Sequence, residues 1–259
     1  MMNKRNVVLK LAAAVMSAAI LVGTTGVVQV KAATEKVWVV TRVEDNSEGE
    51  NYTHEYKYNK KGLISSEKNN VGSKTTYKYD KNSRLKKMKF ENKDIMYLSI
   101  TKYKYKNDKV AKSISTEYIL DGGKKDAGYT ETYEYTWAGD HCVQLYVDEY
   151  NAWTYTYDEN GRVSGSSFGN GAGAASYSYD DRGYLKSISY SGGSINEYVI
   201  TEEDGRVVKT ERSDGYCCTY TWKQIDIPAE MVERVEKQQE YFKLNPDYEL
   251  NILGLAVYQ

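Results

Sequence analysis

The segment YTYDENGRV, Tyr155 to Val163, is written again as YSYDDRGYL at Tyr177 to Leu185 and as YKYDKNSRL at Tyr77 to Leu85. A recurring unit constrains architecture more than any other feature, because one copy cannot bury its apolar face alone and must stack on its neighbours. Tyr155 and Tyr157 are two residues apart, which puts both rings on one face of a strand. Asp158-Glu159-Asn160-Gly161 then supplies a side-chain acceptor where a type I turn wants one. Its glycine stands where a left-handed residue closes the turn into a bulge. Arg162 and Val163 begin the return strand, so backbone geometry accounts for the aspartate and the glycine.

Looser copies follow the same grammar. Tyr56 and Tyr58 lead into NKKGL, and Ser83 takes the glycine place after Tyr77 and Tyr79. Tyr103 and Tyr105 lead into KNDKV, Tyr133, Tyr135 and Trp137 into AGDHCV, and Tyr198 with Ile200 into TEEDGRV, while Tyr220 and Trp222 form a shortened last copy. From Tyr157 to Tyr179, Ile200 and Trp222 the steps are 22, 21 and 22 residues, room for two strands and two turns. A second set of breakers (NNVGSK, LDGGKKDAG, FGNGAGAAS, YSGGS and RSDGY) falls between these turns and marks the opposite edge of the sheet. The expected fold is all-β: an antiparallel meander of repeated hairpins, about sixteen strands from Val37 to Trp222, curled or coiled. Open sheets rarely exceed about ten strands, so this one must coil, close or fold over itself. The Gly165 to Ala175 stretch reads as close-packed strand in one domain rather than as a linker.

Composition supports broad sheet faces: 26 Tyr stand against 3 Phe and 2 Pro, and tyrosine combines strand propensity with a hydroxyl that tolerates water. After Trp222 the pattern changes. Pro228, Glu230 and the spacing of Met231, Val235 and Gln238 or Gln239 predict a short amphipathic helix covering the sheet. The expected division is a signal peptide over 1–32, a hairpin-repeat domain over 33–223 and a capping helix with tail over 224–259.

The signal peptide rests on Lys4, Arg5 and Lys10, an apolar run from Leu11 to Val28, and Val30-Lys31-Ala32 before a cut. Its removal takes the formal net charge from −1 to −5, which argues against nucleic acid as a partner. With no anchor expected to replace it, the product is read as secreted or extracellular, the cell wall being one destination, and no membrane is expected after cleavage. The oligomeric state stays open. Cys142, Cys217 and Cys218 allow one disulfide in an oxidising compartment. Cys217 and Cys218 should face opposite ways along a strand, so they read as small sheet residues.

The quoted segments resemble the YD repeats of bacterial rearrangement-hotspot and teneurin-like proteins, whose unit reads Tyr-x-Tyr-Asp-x-x-Gly-Arg-Leu. The resemblance runs from about Tyr52 to Trp222. It implies a strand array that winds into a shell around a cargo in large members and takes part in surface interactions and carbohydrate binding in secreted ones. Pro228 follows Ile227 and Pro246 follows Asn245, so the self-cleaving motif of toxin-bearing members is missing. A small, free-standing relative is expected.

Chemistry is sparse. His54 and His141 are each read as lone residues with a surface role. The acidic turns at Asp158, Asp180 and Glu202 to Asp204 are explained by turn formation, and no metal or cofactor is expected. One function class is a non-enzymatic secreted scaffold whose aromatics, Trp137, Trp153, Tyr155, Tyr157, Tyr177, Tyr179 and Trp222, stack on a polysaccharide or other cell-wall polymer. The bland counterpart is cross-strand pairing that only stabilises the sheet. A structural role in a surface assembly is the alternative. A hydrolase using Asp180 and Asp181 ranks last, because adjacent turn carboxylates cannot easily flank a scissile bond.

Overall fold

The computed structural model describes residues 33–46, 51–121, 124–147, 152–169 and 172–244. The leader read over 1–32 and the tail beyond 244 lie outside them. Sixteen antiparallel strands close into a barrel. In chain order they are β1 (Thr34–Asp45), β2 (Tyr52–Tyr58), β3 (Ile64–Asn69), β4 (Ser73–Tyr79), β5 (Leu85–Asn92), β6 (Tyr97–Lys106), β7 (Lys109–Asp121) and β8 (Lys124–Ala138). They continue as β9 (His141–Tyr146), β10 (Ala152–Tyr157), β11 (Val163–Phe168), β12 (Ala172–Tyr179), β13 (Leu185–Tyr190), β14 (Ile195–Glu203), β15 (Arg206–Arg212) and β16 (Cys217–Pro228). Each strand pairs with its neighbours in sequence, and β16 closes the ring against β1. The count of strands and the all-β meander therefore match expectation, and closure is the outcome that the sequence left open.

Every hairpin at the near rim carries the irregularity that the repeat predicts. In β10–β11 the register shifts between Thr156 and Tyr157, so that Tyr157 faces Val163 and Thr156 faces Gly165. The same shift precedes Tyr58, Tyr79 and Tyr179. Gly161 N–H donates to the Asp158 carbonyl at 3.0 Å with Gly161 at φ 76°, the left-handed geometry that a glycine adopts without strain. Ser83 takes the same place at φ 63°. The degenerate copies turn differently: Asn107 and Asp108, like Asp204 and Gly205, both have positive φ, the signature of two-residue type I′ turns.

Burial alternates along the strands, with rings inside and polar residues outside. The outer wall from β10 to β13 is a hydroxyl surface in which Thr154 meets Ser167 at 2.5 Å, Thr156 meets Ser164 at 3.1 Å and Ser178 meets Ser187 at 2.7 Å. Membrane barrels show lipid an apolar outside, and this wall is the reverse. Gly165 of β11 and Ala175 of β12 are strand residues, and Ala175 is buried in the core.

Beyond β16 one 3-10 turn, Ala229–Met231, leads into α1 (Val232–Leu244). Met231, Val235, Gln238 and Gln239, the predicted apolar side, are all buried. Strand β2 pairs with β1 only from Arg42 onward, which leaves the Val40 N–H facing an open edge. Gln239 Oε1 accepts it at 2.9 Å, and Gln238 Oε1 accepts the Ile64 N–H at 2.9 Å. The helix thus satisfies backbone donors that the register strands, since a buried N–H without an acceptor is costly. Arg234 donates to the Ser83 carbonyl and Phe242 meets Tyr56 edge-on at 5.0 Å.

Candidate functional site

The inner wall gathers the tyrosines. In each hairpin the second ring of the pair reaches back and donates to a carbonyl at the start of the preceding return strand. Tyr79 Oη donates to the Ile64 carbonyl at 2.7 Å, Tyr105 to Leu85 at 2.8 Å, Tyr157 to Cys142 at 2.6 Å and Tyr179 to Val163 at 2.7 Å. Where tryptophan stands in that place, the indole N–H does the same, from Trp137 to Val110 and from Trp222 to Val207, both at 2.7 Å. Tyr58 closes the series on Val40 of β1 at 2.5 Å. The ladder steps over Ile200, the copy without a polar ring.

The first rings meet side chains of the preceding hairpin: Tyr77 donates to Glu67 at 3.1 Å, while Tyr135 meets Ser113 at 3.1 Å and Tyr177 meets Ser166 at 2.8 Å. Tyr155 differs from these three. It faces β9, whose inner residue is Leu145, and its buried hydroxyl has no partner among the described residues. Basic residues cover the rings at the rim, with Arg162 4.4 Å from the Tyr179 centroid and Arg84 4.6 Å from that of Tyr105.

Those arginines also staple the turns. Asp158 Oδ1 accepts the N–H groups of Asn160 and Arg162 at 2.9 Å, while Oδ2 accepts Arg162 Nε at 2.8 Å. Partial burial works against ionising Asp158, yet the Arg162 guanidinium and the backbone donors outweigh it and hold the carboxyl below its ordinary range. Asp180 is held low in the same way by Tyr184 N–H and Arg182.

Toward the far rim three strands place charge inside. His54 of β2 lies between Asp45 of β1, with Nε2 to Oδ2 at 3.3 Å, and Glu67 of β3, with Nδ1 to Oε1 at 2.9 Å. Burial alone would lower the imidazole pKa, but the two carboxylates prevail and raise it above 6.5. With a carboxylate oxygen facing each ring nitrogen, the bracket favours the protonated imidazole, which can donate to both. The surface role expected of His54 is therefore corrected: at 8 % exposure it is buried. It shares the strand face of Tyr56 and Tyr58, a parity already readable in the sequence. His141 is half-buried and stacks on Tyr157 at 4.4 Å. All three cysteines are free thiols, and burial pushes Cys142 and Cys218 up to about 11, far from the thiolate that a nucleophile needs. Among the described residues no three His, Cys, Asp or Glu side chains group to hold a metal.

Of the aromatics singled out by sequence, Trp137, Trp153, Tyr155, Tyr157 and Tyr177 join one cluster with Cys142, Leu145 and Val163. Tyr179 and Trp222 belong with Tyr177 to the larger cluster beside it. All lie on the inner wall, not on an open outer face. Trp153 and Phe168 pair across β10 and β11 at the far rim, with centroids 4.9 Å apart, and both are half-buried.

No family model and no curated protein matches the chain. Among solved structures, it is similar to a crystal structure of TcdB2-TccC3-Cdc42, at 14% identity and TM-score 0.33 over 62% of this chain. A second similarity is to the Photorhabdus luminescens Tc holotoxin pore with the mutation TccC3-D651A, at 15% identity and TM-score 0.28 over 61% of this chain. The chain spans 10% of the length of either. A porin-like protein from Bacteroides uniformis aligns at 11% identity and TM-score 0.31, over 71% of this chain and 98% of its own.

Proposed function

We propose that the chain is a small secreted relative of the YD-repeat proteins, a non-enzymatic scaffold that binds an extracellular polymer such as cell-wall carbohydrate. The observation that carries this reading is the Trp153 and Phe168 pair: two half-buried rings at the rim opposite α1, on an inner wall that sets tyrosine phenols and the Ser166 hydroxyl among its apolar side chains. Flat rings beside hydrogen-bonding groups suit the apolar face and polar edge of a sugar. The turn carboxylates give a hydrolase reading no support, because Asp180 is held low by its own turn where a general acid must be raised. Retention on insoluble wall polysaccharide and on a glycan array, lost in Trp153→Ala but kept in Tyr129→Ala, is the expected result. Equal retention of both variants, or none above a tyrosine-poor β-protein, removes the proposal.

A further inference from the structure

Strand β8 is longer than the wall that holds it. It pairs with β9 only from Glu134 to Ala138, while on its other side β7 accompanies it to Lys124. Strands β9 and β10 end together, Tyr146 facing Ala152. The run from Lys124 to Thr130 begins about 13 Å past Glu134. All seven of its residues are exposed. Beside it, Ile119 and Tyr129 are 60% and 64% exposed, so this hairpin offers a backbone edge that no strand among the described residues pairs with, flanked by apolar side chains.

We infer that this edge pairs antiparallel with the same edge of a second copy of the chain. Charge selects the partner and the register. The β7–β8 register shifts between Thr116, which faces Thr130, and Tyr118, which faces Ala127, so Gly128 and Tyr129 together oppose Glu117. The bulge flips the alternation once: Lys124, Asp126 and Glu131 share the inner face, and Lys125, Ala127 and Thr130 the outer. A two-fold pairing centred between Ala127 and Gly128 then sets Lys124 of each copy against Glu131 of the other, inner face to inner face, twice over. Lys125 meets Thr130, and Asp126 meets Tyr129. Moving the centre by half a residue to Gly128 sets outer Lys125 against inner Glu131. One further half step sets Asp126 against Glu131, two repulsive contacts. Charged residues usually guard an edge against pairing; this set is complementary to itself. An edge of seven residues is small for a stable interface, so the dimer is weak and salt-sensitive.

Sedimentation velocity on the purified protein from about 1 to about 500 µM tests this, a range that spans weak association. The expected result is a concentration-dependent dimer that weakens in high salt. Lys124→Glu and Glu131→Lys each weaken it by about fivefold or more, since two cross-strand pairs turn from attractive to repulsive. An equimolar mixture of the two variants restores it as a heterodimer, because both contacts are again of opposite sign. Near-unchanged melting of each variant separates this from misfolding. Monomer at every concentration, or a dimer indifferent to both substitutions and to mixing, overturns the inference.

Discussion

Tyr155 and Tyr157 stand in one repeat, on one strand and one face, yet their hydroxyls are in opposite situations. Removing each in turn isolates what the ladder contributes. Tyr157 donates at 2.6 Å to the carbonyl of Cys142, a residue with 0% exposure, so Tyr157→Phe deletes a good bond and leaves a buried acceptor short of a donor. That costs about 1 to 2 kcal/mol. Tyr155 carries a buried hydroxyl without a partner among the described residues. Tyr155→Phe therefore relieves a desolvated group, keeps the ring volume, and leaves stability equal or slightly raised. For a domain of this size, 1 kcal/mol moves Tm by roughly 2 to 4 °C. In urea, with a slope of about 3 kcal/mol/M, a loss of about 1 to 2 kcal/mol moves the midpoint by about 0.3 to 0.7 M. Equilibrium urea unfolding of the two variants should give midpoints that differ by that amount with unchanged slopes. Equal midpoints, or Tyr155→Phe as the weaker protein, would refute the claim that ring hydroxyls bind one hairpin to the next.

Two further outcomes follow from the same geometry. The folded pKa of His54 is raised above 6.5, so its bracket with Asp45 and Glu67 contributes stability that is fully present below pH 6.5 and is lost as pH rises through the folded value; melting from pH 5.5 to 9 should show this fall, and His54→Gln should flatten it. Gly62 and Gly205 have nearly equal φ, 78° and 77°, but a Cβ on Gly62 would lie 2.6 Å from Ile227 Cγ2 and 2.9 Å from Val235 Cγ2, while one on Gly205 meets nothing within 4 Å. Both alanine variants carry the left-handed strain of about 1 kcal/mol, and Gly62→Ala loses roughly 1 to 3 kcal/mol more through overpacking against α1, read as the gap between their urea midpoints.

Local features were the legible ones. The pairing of Tyr155 with Tyr157, the acidic corner and the left-handed glycine fix hairpin, bulge and face within nine residues, and the helix followed from the spacing of Met231, Val235 and Gln238. Closure was not legible, because it depends on how twist accumulates over sixteen strands and on whether β16 can meet β1, some 180 residues away. For that reason the rings expected on an open face line the inside. The His54 bracket escaped notice because Asp45, His54 and Glu67 come from three strands and converge only once register is known, and the reach of Tyr157 to a carbonyl 15 residues earlier depends on the same register. The edge of β8 that no described strand pairs with was hidden in the unequal lengths of β8 and β9.

The β1–β16 seam differs in kind from the other contacts of the wall. Every remaining strand pair joins consecutive segments and can form as soon as its own turn closes; the seam alone must bring the two ends of the domain together. Folding should accordingly run as a zipper with one late, slow latch. Evolution could lengthen or shorten the girth by whole hairpins without redesigning that latch.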